Sequence, residues 1–363
     1  MTGRRRTPAL ALVLTVAAVL PGAGRAARAA VPPPVHVPEG AAFVHDVRPG
    51  PGVSSVKRLS DYLPELAGTP GDTPVYVLQG SEPGGTAFVA GGTHPNEIAG
   101  VMAAIVLVEH ARVARGRLIV VPHADNAAVD WRDPKHPVPA WITIRTASGP
   151  RRFKVGARLV RADLQGAPDP PVFRHPASAG TLPGFEARNL DRAYPGRPDG
   201  TLTQRIAAAV MRLLINENVD VAFDLHEAGP SSRLAWTVVA HPKSLEIAAT
   251  AVIDLDAAGI EMKLEQSSKT FRGLSHREWG DATRAQTFLF ETPNPGQGNA
   301  SRTADIVGDR SLPLVRRVAV QLATLEAVLA AYDAQAGSPR QVVLSDLPRP
   351  VDLEAAGLGS VLQ

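Results

Sequence analysis

Two histidines and two glutamates in this chain stand where apolar segments end, and their types and spacing suit a metal-dependent hydrolase. The first group is Gly91-Gly92-Thr93-His94-Pro95-Asn96-Glu97, set between an apolar strand and an apolar helix. His94 and Glu97 are three residues apart. In a helical first turn, positions i and i+3 point the same way, so imidazole and carboxylate can meet one ion. The second group, Asp224-Leu225-His226, ends another apolar run about 130 residues later. His226 supplies the third ligand of a His₂Glu set of the kind that zinc hydrolases use. Strand alternation puts Asp224 on the same side as His226, where it either steadies the ring from behind or anchors the strand. The third group is Phe288-Leu289-Phe290-Glu291-Thr292. Burying Glu291 unpaired is costly, and a general base beside an activated water would justify the position. The bland alternative is a cap on the following Pro-Asn-Pro-Gly turn. The fourth is Asn189-Leu190-Asp191-Arg192-Ala193-Tyr194-Pro195-Gly196. Arg192 either grips a substrate carboxylate, polarises a carbonyl, or forms an ion pair within its turn.

These residues need a frame that carries strand ends to one place. Val75–Leu78 and Thr86–Ala90 read as strands, Glu97–Val113 as a buried helix, and Arg117–Pro122 as a strand. Thr201–Asn216 reads as a helix capped by Thr201 or Thr203. Val219–His226 and Ala235–Ala240 read as strands, Ser244–Ala258 as a helix, Thr287–Glu291 as a strand, and Leu312–Tyr332 as a closing helix. Strands alternating with helices predict an α/β domain: a mixed, largely parallel sheet flanked by helices. In such sheets, sites form beyond the carboxyl ends of the strands. The stretch 130–186 is rich in Pro, Gly and Arg and reads as an insertion, with one hairpin expected around Trp141–Thr146 and Phe153–Leu159. Residues 30–74 read as an N-terminal extension, 75–335 as the hydrolase domain, and 336–363 as a tail, either loosely packed or an edge element.

The opening is that of an exported protein. Arg4-Arg5-Arg6 precedes an apolar run from Ala9 to Leu20, and Ala27-Arg28-Ala29 follows. The run is shorter than the ~20 residues that a membrane span needs. A signal peptide over 1–29 is therefore expected, on either the general or the twin-arginine route. The mature chain would be secreted or periplasmic, with no stable membrane insertion. The formal net charge is +3; the expected cut removes five arginines and no acid, taking it to −2. That leaves no global argument for nucleic-acid binding. The chain has no cysteine, which excludes disulfides, thiolate nucleophiles and Cys-ligated metals.

Taken in order, Gly-Gly-Thr-His-Pro-Asn-Glu, Leu-Asp-Arg-Ala-Tyr-Pro-Gly, Asp-Leu-His and Phe-Glu-Thr resemble the succinylglutamate desuccinylase/aspartoacylase family, relatives of the zinc carboxypeptidases that share their fold. The resemblance runs from about Val75 to Gly298, and Pro122-His123-Ala124-Asp125-Asn126-Ala127 adds to it more weakly. It implies one zinc ion on His94, Glu97 and His226, Glu291 as general base and proton shuttle, and Arg192 as a substrate-binding or oxyanion-stabilising residue. The family pattern has Asn where this chain has Asp191, which alters the charge of the substrate subsite. It also has a further arginine ahead of that motif, with Arg174, Arg188 and the arginines of the insertion as candidates. The implied reaction is amide hydrolysis. The substrate is either an N-acyl amino acid or related small amide, or the C-terminal bond of a peptide such as a cell-wall peptide. A catalytically inactive binding protein of the same fold is the alternative of another class.

Overall fold

The computed structural model describes residues 45–131, 138–297, 304–337 and 339–363. The expected signal segment lies outside them. Among the described residues a nine-stranded sheet runs in the order β1-β2-β4-β3-β9-β12-β10-β11, with β13 paired to β4. The strands are β1 (Val53–Arg58), β2 (Pro74–Gln79), β3 (Glu82–Gly91), β4 (Arg112–Val121), β9 (Val221–Ala228), β10 (Thr237–Ala240), β11 (Lys263–Gln266), β12 (Gln286–Pro293) and β13 (Val343–Ser345). Two short hairpins stand apart: β5 (Trp141–Thr146) with β6 (Gly149–Lys154), and β7 (Val172–Phe173) with β8 (Leu182–Pro183). The helices are α1 (Ile98–His110), α2 (Leu202–Asn216), α3 (Leu245–Ala257), α4 (Ser275–Ala282), α5 (Leu314–Ala336) and α6 (Pro350–Ala356).

The central strands β4, β3, β9 and β12 are mutually parallel and are buried over most of their length because both faces are covered. The outer pairings β1–β2, β2–β4, β13–β4 and β10–β12 are antiparallel, while β10–β11 is parallel. The expected mixed sheet is thus parallel at its centre, with antiparallel pairings on either side and a further parallel pair, β10–β11, at one edge. Helices α1, α3 and α5 pack on one face, and α2 with Trp279 of α4 on the other. From β3 the chain crosses through α1 to β4 on one side, whereas β9 lies on the other side of β3. The carboxyl ends of β3 and β9 therefore diverge into a crevice, the position that open α/β sheets use for ligands.

Local chemistry sets the element ends. Thr201 caps α2 through a capping box with Gln204. The first helix is shorter than its apolar run suggests: it stops at His110, Ala111 is extended, and Val113 belongs to β4. The reason is long-range, since Val113 pairs with Leu344 of β13. The tail is accordingly a sheet element, with α6 packed on α5. In the Pro-rich stretch, the expected hairpin forms but its second strand begins at Gly149, because Gly149 (φ +113°) turns the chain directly after Thr146. The strand expected over 219–226 starts two residues later: Val219 N still donates back to Leu214 O after α2, and Asp220 N, donating to Thr86 O, leads the chain alongside β3. Strands β1 and β11 and helices α4 and α6 have no counterpart in the sequence reading; all are short.

One close approach fixes the start of α1. A methyl group on Gly100 would lie 2.3 Å from the carbonyl oxygen of Leu225, one residue before His226. Gly100→Ala should push α1 off β9 and cost about 1–3 kcal/mol, the usual penalty of overpacking, measured by denaturant unfolding. Thr201→Ala should cost only ~1 kcal/mol through loss of the cap.

Candidate metal centre

The crevice is built from the backbone outward. Gly92, at φ +66°, turns the chain at the end of β3, and the buried Thr93 donates its hydroxyl to Asp224 Oδ1 at 2.8 Å, tying this loop to β9. The next four residues make a single turn, closed by Glu97 N donating to His94 O at 2.9 Å. His94 and Glu97 thus stand in a turn just ahead of α1 rather than in its first helical turn, with Glu97 at the cap position. The i and i+3 side chains still converge: His94 Nδ1 and Glu97 Oε1 are 2.9 Å apart. On β9, His226 brings its Nδ1 to 2.9 Å from Glu97 Oε2. Parallel register places Glu291 of β12 directly beside His226. His94, Glu97 and His226 are each about 2% exposed.

Each ring is held from behind. Asn189 Oδ1 lies 2.9 Å from His94 Nε2 and also accepts from Asp191 N at 3.0 Å. Asp224 Oδ2 lies 2.9 Å from His226 Nε2, but the ring is poorly aligned for a hydrogen bond, so the contact is chiefly an ion pair. Asp191 is buried; its Oδ1 accepts from Ser275 N at the start of α4 at 2.9 Å, and its Oδ2 is 3.4 Å from Arg192 Nη1. His94, Asp191 and His226 each offer a ligand atom within 4.8 Å of the others. Arg192 also donates to Asp191 O at 2.5 Å, so it is partly engaged within its own turn.

Glu227 follows His226 and faces the other side of the sheet. Its carboxylate accepts from Ala99 N at 2.9 Å in the first turn of α1 and from Asn294 Nδ2 at 3.0 Å, and it pairs with the fully buried Arg317 of α5. Glu227 N in turn donates to Glu97 Oε2 at 2.9 Å. Gln321 of α5 donates to His226 O at 2.9 Å. Helix α5 therefore braces the cluster through β9.

Burial opposes every charge here, and neighbours decide the outcome. Burial raises the pKa of Glu97, but the His94 and His226 rings more than reverse it, and the carboxyl is held well below the usual range. Burial lowers the pKa of His226, yet Asp224 and Glu97 lift it well above the ordinary value. His94 falls below its usual value, through burial and the Arg158 charge. Glu291 goes the other way: burial and then the Glu97 charge push it well above the carboxylate range. Asp191 is depressed despite burial, by His226, Arg192, His94 and His276. The chemistry of the donor set fits a divalent cation. Two imidazole nitrogens converge on the two oxygens of one carboxylate, a second carboxylate is within reach, and no thiolate is present. That donor set suits zinc or a similar ion of borderline softness.

The cluster opens into a cavity of about 840 Å³. His94, Glu97, Asp191, Arg192, His226 and Glu291 all line it, whereas Asp224 stands behind His226. Sequence reading missed two contributors, His175 and Lys269, and left a third, Arg158, undistinguished among the arginines of the insertion. Arg158, from the Pro-rich stretch, reaches 3.3 Å from His94 Nδ1 and 3.7 Å from Glu97 Oε1. It is the arginine that actually reaches the centre; Arg188 is bound to Asp169. His175, from the same stretch, pins the cavity rim by lying 2.7 Å from Tyr194 O. Lys269 adds a further cation to the wall. Nothing in the spacing marked Arg158 or Lys269. Asn189 was signalled, since it opens the Asn-Leu-Asp-Arg motif.

Residues 133–292 match the model of the succinylglutamate desuccinylase/aspartoacylase catalytic domain, and that stretch takes in most of the Pro-rich excursion. The chain is 40% identical over 80 residues to N-alpha-acetyl-L-2,4-diaminobutyric acid deacetylase of Halomonas elongata, spanning 21% of this chain and 23% of that protein. Among solved structures it is similar to a succinylglutamate desuccinylase from a Silicibacter species, with 24% identity, 71% and 60% of the two chains covered and a TM-score of 0.42. It is also similar to a metallo-carboxypeptidase from Burkholderia cenocepacia, with 14% identity, 78% and 66% covered and a TM-score of 0.49.

Arg317→Met leaves Glu227 as a buried, uncompensated carboxylate. Denaturant unfolding should report a loss of about 3–5 kcal/mol. The double change Arg317→Met with Glu227→Gln should recover part of it.

Proposed function

We propose that this chain, whose residues 133–292 belong to the succinylglutamate desuccinylase/aspartoacylase catalytic-domain family, is a zinc-dependent hydrolase of amide bonds, acting on N-acyl amino acids or related small amides. The observation that carries the proposal is Glu291. Its Oε2 is buried without a hydrogen-bond partner, in the same cavity as the His94–Glu97–His226 cluster. A buried carboxylate kept unpaired is costly, and proton transfer is a use that requires it.

Zinc on His94, Glu97 and His226 would supply Lewis acidity and a water that ionises near neutral pH. The protein's own residues do the rest. Glu291 takes the proton of the attacking water on Oε2, and its raised affinity for that proton suits it to pass the proton on to the leaving amine. Arg158 and Arg192 place positive charge where the carbonyl oxygen becomes negative, and with Lys269 they favour a substrate carboxylate. Burial of the cluster strengthens each of these interactions. No serine or cysteine nucleophile is needed.

A second reading is favoured by the size of the cavity. At about 840 Å³ it exceeds what a single acyl amino acid fills, so the C-terminal end of a peptide would also fit. Release of a C-terminal residue, from a cell-wall peptide for example, is the alternative activity. We also propose that the chain acts outside the cytoplasm, on the strength of the signal-like residues 1–29.

A panel of N-acyl amino acids and C-terminally blocked or free peptides separates the two substrates. Turnover of the acyl amino acids, abolished by a chelator and restored by Zn²⁺, is the expected result; turnover of free peptides alone would replace it with the carboxypeptidase reading. Glu291→Gln should keep its zinc, measured by elemental analysis, and lose at least about 10²-fold in kcat. Retained turnover would remove Glu291 from the chemistry.

A further inference from the structure

The cavity that holds Glu291 has an apolar wall that the packing of the domain does not explain. Leu289 stands two residues before Glu291 on β12, so strand alternation turns both side chains to the same face. Val239 of β10 lies directly opposite Leu289 in the antiparallel pair, which puts it on that face too. Both are about 3% exposed, yet neither belongs to either hydrophobic core cluster of the described residues. They line the cavity instead, together with Leu234, Phe271 and Leu274, which also stand outside both clusters. Large apolar side chains gathered on one surface and rimmed by polar groups mark a ligand-binding face. Free charge is scarce on this wall. Arg233 is paired with both oxygens of Glu265, and Arg272 with Asp281 and Glu278. His276 is buried there with no hydrogen-bond partner on either ring nitrogen, and burial pushes its pKa down to about 4, so it is neutral. Lys269 stays exposed, where it can meet a substrate carboxylate.

We propose that this wall is a side-chain subsite, and that the amino acid released by hydrolysis carries a large apolar side chain, aliphatic or aromatic. The inference rests on the amide-hydrolase reading above and names its substrate class. Position assigns the subsite to the amine side of the scissile bond. In the sheet, Glu291 stands between His226 of β9 and Thr237 of β10. The carbonyl is attacked at the His94–Glu97–His226 cluster, and Glu291 passes its proton to the leaving amine. The side chain on that amine then runs past Glu291 to Leu289 and Val239, away from His226. An acidic or basic side chain would lose its water there without gaining a counter-charge, which is costly. An apolar one gains by leaving water.

The test uses the full chain loaded with Zn²⁺ and N-acetyl amino acids that differ only in side chain. The expected result is a kcat/KM for the leucine, methionine and phenylalanine substrates at least about tenfold above that for glycine, aspartate or lysine, the discrimination an apolar pocket gives. Leu274→Arg, at a half-buried position of the wall, should lower the phenylalanine value and raise the aspartate value, with zinc content unchanged; Phe271→Arg, read in the same way, is the second variant. A wild-type preference for aspartate or lysine overturns the proposal. So does a variant that lowers every substrate equally. In a series of N-acyl glycines, a preference that follows the acyl group instead of the released amino acid overturns it as well, because the wall would then lie on the other side of the bond. A wild-type chain that turns over none of the panel overturns the amide-hydrolase reading itself. The subsite is then read from calorimetric binding of the free amino acids, where phenylalanine bound no more tightly than aspartate or lysine overturns the proposal too.

Discussion

The Glu97 carboxylate is the pivot of this protein. Its two oxygens each lie 2.9 Å from an imidazole nitrogen, one on His94 and one on His226. A buried carboxylate between two rings cannot be tolerated without positive charge, whether carried by protons or by a metal ion. It also joins two segments about 130 residues apart, one following β3 and the other within β9. Both segments depend on the divergence of connections around β3, so the fold and the cluster impose the same constraint. The parallel centre of the sheet puts the strand ends side by side, and Glu97 closes the gap between them.

Support for this pivot comes from the far side of the sheet. Glu227 sends its side chain away from the cluster, to the start of α1 and to Arg317, while its backbone N–H donates to Glu97. An anion at a helix N-terminus is favourable, and here it carries a buried guanidinium as counter-charge. Gln321 from the same helix holds the His226 carbonyl. The ion pair is weak evidence for net stability. Its consequence is geometric: α1, β9 and α5 cannot shift independently of the cluster.

The Pro-rich excursion explains itself only in this setting. A segment with little regular structure is unexpected inside a compact domain unless it shapes a binding site. Here it carries Arg158 to the cluster and, through His175, forms part of the cavity rim. Its hairpin β5–β6 is bound to the body through Arg151, which pairs with the buried Glu109 at the end of α1 and with Asp46. The excursion is thus fastened to the body through its hairpin while its later part lines the cavity.

Much of this was legible in the residues alone, because strand-end chemistry is local. Apolar runs ending in His94, His226 and Glu291 announce strands whose carboxyl ends meet, and the alternation of elements announces the sheet that brings them together. The side on which a residue faces follows from period two, which is why Asp224 falls behind His226. Long-range pairing is what the sequence cannot express. The early end of α1 at His110 depends on β13 pairing more than 200 residues away. Arg158 reaches the cluster by a fold of the excursion that leaves no periodic trace. Asp191 reads in sequence as the neighbour of a substrate-binding arginine, and only the packing of Asn189 and Ser275 around it turns its carboxylate toward two imidazoles. The chain by itself marked which side chains could carry chemistry; the tertiary structure decided their distances, because those depend on contacts between segments remote in sequence.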